Sequence, residues 1–197
     1  MSIDASMVKE LREKTGAGIM DCKKALKETE GNLDEAVNFL RKKGLASAAK
    51  KAGRETKEGL VGSYIHSNGK IGVLVEVACE TDFVARTDEF QALVRDIAMH
   101  VAAADPAAVT RDEMDAGVVA SERELMLAQV KEMGKPEAIA EKIVEGKLEK
   151  WYGERALMEQ AFVKDPDQKI EDVVKAAVAK LGENIQIRRF SRFQLGA

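Results

Sequence analysis

An α+β fold is what the sequence predicts, on three observations. Residues 59–79, GLVGSYIHSNGKIGVLVEVAC, form two β-rich runs on either side of Asn68-Gly69, the second with apolar residues at a period of two. The stretches before and after them carry apolar residues at the three-to-four spacing of helices, without the strand–helix alternation that a parallel sheet requires. One further strand-like run, NIQIRRFSRF at 184–193, comes only near the C-terminus. Hairpin, helices and strand in that order describe a small antiparallel sheet packed with helices.

Taken in order, residues 4–43 read as three short helices. The first places Met7, Val8 and Leu11 together and stops at Thr15-Gly16-Ala17-Gly18, where glycine tolerates a left-handed backbone. The second sets Ile19, Cys22, Ala25 and Leu26 on one face and ends at Gly31. The third offers Asn32 as N-cap, Glu35 as a capping-box acid and an Ala36, Val37, Leu40 stripe, with Gly44 as its expected end. Residues 1–44 therefore form a candidate module, small for a self-supporting core. LASAAKKAGRETKE, 45–58, lacks large apolar residues and reads as a weak helix or linker; 59–197 is the α+β core.

In that core, Asn68-Gly69 is the favoured pair for a two-residue type I′ hairpin. Ile71, Val73, Val75 and Val77 then share one face of the second strand, with Leu74 and Glu76 on the other. Helices are expected at about 88–103 (Phe90, Leu93, Val94, Ile97, Val101), 118–133, 137–151 and over KIEDVVKAAVAKLG, which closes on Gly182.

Composition narrows the function classes. The 197 residues are 45% hydrophobic with a net charge of −3, enough for a core and too balanced for whole-chain nucleic-acid binding. The charge is uneven: residues 1–54 hold 12 Lys/Arg against 8 Asp/Glu. Cys22 and Cys79 are far apart and clustered with no histidine, so neither a disulfide scaffold nor a metal site is expected. MSIDASMVKEL has no apolar signal core, and no apolar run approaches the roughly 20 residues of a membrane span. A cytoplasmic protein is the expectation.

Catalytic chemistry finds little support. TGAG at 15–18 lacks the rest of a phosphate-binding P-loop and reads as a helix turn. His66, in YIHSNG, has no nucleophile beside it and reads as a surface or partner contact. His100 falls late in its helix, where a cation is favourable. Lys23-Lys24, Arg41-Lys42-Lys43 and Lys50-Lys51 give the front module a positive side, either a solvated face or a binding surface. Arg188, Phe190 and Arg192 alternate along the last strand, which suits either RNA stacking or a charge-protected sheet edge. ETDFVAR, 80–86, leaves two readings open. Thr81 or Asp82 caps a helix that carries Phe83 onto the stripe of Phe90, seven residues on, or Phe83 protrudes as a wedge.

Several ordered motifs together decide more than any one of them. TGAGIMDCKKAL, AKKAGRETKEG, ETDFVAR, AMHVAA, GKPEAIAEKIVEGKLEKWYGE, QAFVKD and GENIQIRRFSRFQLG run nearly end to end, and with them the chain resembles the bacterial elongation factor Ts family. The resemblance implies a guanine-nucleotide exchange factor for the GTPase elongation factor Tu, with no catalytic residues and no cofactor of its own. It implies that the front module is ubiquitin-associated-like. It also implies that Thr81, Asp82, Phe83 and Val84 enter the partner near its Mg²⁺ site. Less firmly, it marks Leu11 and Gly18-Ile19-Met20 as a docking patch, Lys23 and Lys51 as basic partner contacts, and His66 of the SY-x-H pattern as a core-domain contact. The chain resembles the short form of the family, which implies a homodimer that rebuilds the core, with neither nucleic acid nor membrane as direct partner. The alternative function is an RNA-binding or ribosome-associated protein that uses the basic module and the Arg-rich strand.

Overall fold

The first forty residues form the three helices their spacing predicts, in a computed structural model that describes residues 3–133 and 136–196. Helix α1 (Ala5–Thr15) ends where Gly16 turns left-handed at φ 65° and donates its N–H to the Arg12 carbonyl. Helix α2 (Ile19–Glu28) follows, and α3 (Leu33–Lys51) starts at Asn32, whose side-chain oxygen accepts from the N–H groups of Asp34 and Glu35. Leu11, Cys22, Ala25, Leu26 and Ala36 are fully buried together, with Met7, Val8, Val37 and Leu40 packed around them. Ile19 departs from its expected stripe and is exposed at the first position of α2.

Gly44 does not end the third helix; α3 continues to Lys51. The glycine serves packing instead, because a Cβ there would come within 3.1 Å of the Ala179 Cβ on α8 (Ile170–Leu181). Arg41 reaches Asp172 of the same helix at 3.5 Å.

The sheet has the order β1 (Glu58–Ile65), β2 (Ile71–Cys79), β5 (Gln186–Gln194), antiparallel, so the hairpin's second strand is central and the last strand is an edge. Val73, Val75 and Val77 are buried and Leu74 is exposed, as their alternation predicts. The turn differs from the expected type I′. Only Gly69, at φ 67°, is left-handed, and its N–H bonds the His66 carbonyl at 2.7 Å. A two-residue I′ turn needs positive φ at both central residues, and Asn68 does not supply it; the connection is longer. Gly59 shows the opposite constraint: a Cβ there would lie 2.2 Å from the Val77 carbonyl oxygen, so only glycine lets β1 approach β2.

A short helix, α4 (Asp82–Ala85), follows β2 and leads to α5 (Asp88–Ala104), which buries Phe90, Leu93, Val94, Ile97 and Val101. Helices α6 (Ala116–Glu132) and α7 (Glu137–Arg155) pack together around Met126, Val130, Ala140 and Val144. A two-stranded ribbon, β3 (Ala161–Phe162) with β4 (Asp165–Lys169), has no counterpart in the sequence reading; DPDQK offers neither alternation nor β-branched residues.

The chain divides into two compact units. One contains the residues through Leu60, Val77–Val94 and Asp172–Gln186; the other contains Val61–Glu76, Arg95–Glu171 and the residues from Ile187 on. In the second unit His100 is fully buried, which overturns its reading as a cation at a helix end. The Val163 N–H donates to Nδ1 at 3.3 Å, which leaves Nε2–H to donate to the Gln160 side-chain oxygen Oε1 at 3.0 Å. Gln160 in turn donates to the carbonyls of Ala104 and Glu154. Loss of hydration holds the imidazole pKa below its ordinary value, outweighing the bond to Gln160, so the ring is a neutral core member.

Candidate functional site

Strand β2 ends on the buried Cys79; the chain bends at Glu80, and Thr81 is extended at φ −132°, ψ 154°. Helix α4 then begins, four residues long, too short to hold itself in water. Its order comes from its ends. Thr81 Oγ1 accepts from the Val84 N–H at 3.4 Å, the N-cap that a Thr before Asp-Phe-Val predicts. At the other end Thr87 Oγ1 donates to the Val84 carbonyl at 2.8 Å and accepts from the Phe90 N–H at 3.2 Å. Thr87 thus stops one helix and starts the next.

Glu183, just beyond α8, fixes the approach to this corner. One carboxylate oxygen accepts from the N–H groups of both Glu80 and Thr81 at 3.0 Å, and the other accepts from the Thr81 hydroxyl at 2.6 Å. The Glu80 carboxylate returns the contact by accepting from the Asn184 N–H at 2.6 Å, with Arg54 at 3.5 Å. Asn184 is buried and donates its side-chain amide to the carbonyls of Ala52 and Arg54. The Cys79 thiol donates to the Thr81 carbonyl at 3.1 Å. Burial, aided by the negative charge of Glu183, pushes that thiol up to about 11, so it stays protonated at neutral pH.

On this fixed turn Phe83 is 80% exposed. Single exposed apolar residues are ordinary; this one is an aromatic held out by a capped, hydrogen-bonded corner. Asp82 beside it is half-buried and pairs with Arg86, one helical turn on, at 2.8 Å. Val84 is half-buried and Ala85 buried, so the segment has one outward and one inward side.

The other sequence-marked residues fall differently. Gly18, Ile19 and Met20 are exposed at the start of α2, Met20 at 76%. Lys23 is exposed and shares their helix face by i+3 and i+4 spacing. Leu11 is not part of that surface: it is 0% exposed, at the centre of the three-helix core, because its helix turns its apolar side inward. Lys51 is half-buried at the last turn of α3. His66 is exposed beside the hairpin turn, its Nδ1 3.2 Å from the Tyr64 hydroxyl. Among the described residues no group of three His, Cys, Asp or Glu could hold a metal ion, and no helix is long and apolar enough to cross a membrane. Glu183, Asn184 and Arg54 escaped the sequence reading. GEN at 182–184 stands out in the sequence, but nothing local pairs it with residues a hundred positions earlier.

Residues 4–197 match the family profile described as Elongation factor TS. Among curated relatives, the elongation factor Ts of Anaeromyxobacter dehalogenans is 66% identical over 194 residues, 98% of this chain and 89% of that protein. That of Geobacter sulfurreducens is 60% identical over 196 residues, all of this chain and 91% of the relative. The Fervidobacterium nodosum protein is 59% identical, with the full length of both covered.

Proposed function

The chain belongs to the elongation factor Ts family of translation elongation factors, and from that premise we propose that it acts as a guanine-nucleotide exchange factor for elongation factor Tu. Thr81–Val84 is the segment that enters the partner beside its bound Mg²⁺. Phe83 fills an apolar pocket of the GTPase, and Asp82 disturbs the contacts that organise the metal. Mg²⁺ neutralises phosphate charge, so displacing it removes a dominant attraction for GDP. The effect is reciprocal: what weakens GDP weakens the exchange factor's hold when GDP rebinds, so release is accelerated without selecting GTP. A tenfold loss of nucleotide affinity needs about 1.4 kcal/mol of differential binding, and one buried aromatic supplies about 1.5–3 kcal/mol.

The observation that carries this reading is the exposure of Phe83 on a rigid turn. Ile19, Met20 and Lys23 form a second, independent contact patch on α2, and Lys51 and His66 are further contacts. Elongation factor Tu is bound in its GDP and nucleotide-free forms, in the bacterial cytoplasm. A homodimer completes the core through the sheet, and the exposed Val61, Ile65, Leu74, Phe193 and Leu195 support that pairing; a monomeric mass in sedimentation at micromolar concentration would remove it. The RNA-binding alternative is weakened because Arg189 bonds Glu76 at 2.7 Å and Arg192 is held by Asp105 and the Ala102 carbonyl.

The test is release of a fluorescent GDP analogue from elongation factor Tu. Wild-type protein accelerates it strongly, and Phe83→Ala reduces the acceleration by about 10- to 100-fold, the burial energy above expressed as a rate. Full activity in that variant removes the wedge; no acceleration by the wild type removes the exchange role.

A further inference from the structure

We propose that Glu183 is a positioning residue for the exchange segment: its carboxylate fixes Glu80 and Thr81 so that Phe83 is presented before any partner arrives. The inference rests on the reading of Asp82-Phe83 as the exchange element, and it concerns how that element is held.

Three donors converge on this one side chain. The N–H groups of Glu80 and Thr81 share Oε2, both at 3.0 Å. Two successive amides can reach one oxygen only if the peptide between them is turned one way, so this pair fixes the backbone where β2 gives way to α4. Oε1 takes the Thr81 hydroxyl at 2.6 Å, a short, charge-assisted bond. With its proton committed to Glu183, Thr81 Oγ1 turns a lone pair toward the Val84 N–H. The cap of α4 is therefore set by the carboxylate behind it. That cap is long, at 3.4 Å, and closes a helix of four residues, so neither element would order the segment alone.

The reverse contacts make the arrangement a bracket. Glu80 accepts from the backbone of Asn184, and the buried Asn184 amide is anchored on the carbonyls of Ala52 and Arg54. Residues 80–81 and 183–184 thus hold each other in both directions, and the turn at 52–54 holds Asn184. Glu183 is only part-buried behind the corner and needs no contact with a partner in order to act. Its role is to remove the ordering that an unsupported Thr81–Val84 would undergo on binding.

The test uses the full chain as Glu183→Ala and Glu183→Gln, each alone and combined with Phe83→Ala. Amide hydrogen exchange should quicken more than tenfold at Thr81 and Val84 in Glu183→Ala, while the amides of Val73 and Val75 keep their protection. Glu183→Gln, which keeps an acceptor oxygen but loses the charge, should fall between; it also serves if the alanine variant does not fold. Stimulated GDP release should drop about tenfold in Glu183→Ala but less than twofold further when Phe83 is already alanine, because the two act through one element. Unchanged exchange at Thr81 and Val84, or equal loosening of β2, overturns the proposal. So do losses that simply multiply in the double variant. Failure of Phe83→Ala to reduce release would remove the wedge reading of Phe83 instead, and amide exchange would still decide whether Glu183 orders the segment.

Discussion

Phe83 and Phe90 are the same residue type, seven positions apart, a spacing that would stack them on one face of an unbroken helix. Phe90 is 0% exposed and Phe83 is 80% exposed. The difference is made by the residues between them. Helix α4 ends at Ala85, and Thr87 closes it and caps α5, so the register that buries Phe90 is never extended back to Phe83. Behind Phe83 the Glu183 bracket holds the corner where that break leaves it. Two identical rings therefore have opposite duties: one supports the core, and the other is available to a partner.

Truncating the two rings should separate those duties. The largest effect expected on stability is from Phe90→Ala, a loss of about 3–5 kcal/mol in denaturant unfolding, as for other fully buried aromatics; a loss below about 1 kcal/mol would mean the ring is not part of the core. Ten residues along α5, acid should act on the buried His100. Its folded pKa lies below the ordinary 6.5, so below that pH the unfolded chain binds a proton that the folded chain does not. Stability is then complete above pH 6.5 and falls on acidification, at up to about 1.4 kcal/mol per pH unit for this group. Unfolding followed by urea between pH 7.5 and 5 checks this after subtraction of a His100→Gln control. Thr87→Ala, which removes the cap between the two rings, should cost about 1 kcal/mol and loosen the amide of Phe90 first. Phe83→Ala should change stability by no more than about 0.5 kcal/mol, as for surface positions free of caps or strain. A larger loss there would show that Phe83 packs against its own chain and would break the comparison.

Much of this was legible in the sequence because it is local. The three helices follow from Met7, Val8 and Leu11, from Cys22, Ala25 and Leu26 and from Ala36, Val37 and Leu40, each set at helical spacing within its own helix, and from Asn32 at a cap, patterns that span a few residues. The alternation of β2 and the stripe of α5 are of the same kind. The misreadings share a cause. Gly44 reads as a terminator because only Ala179, 135 residues away, explains a glycine inside a helix. Leu11 belongs to a docking patch only until its burial places it behind that patch, and His100 looks like a helix-end cation until Gln160 and Val163 enclose it.

The sequence by itself determined most of the secondary elements, though not the β3–β4 ribbon, their order, a cap at Thr81 or Asp82 and, through its motifs, the family. Tertiary structure alone decided which side of that corner faces solvent. Periodicity and capping are written in residues three to seven apart, within reach of local inference. The exposure of Phe83 depends on a carboxylate more than a hundred residues away, and only folding brings Glu183 to Thr81.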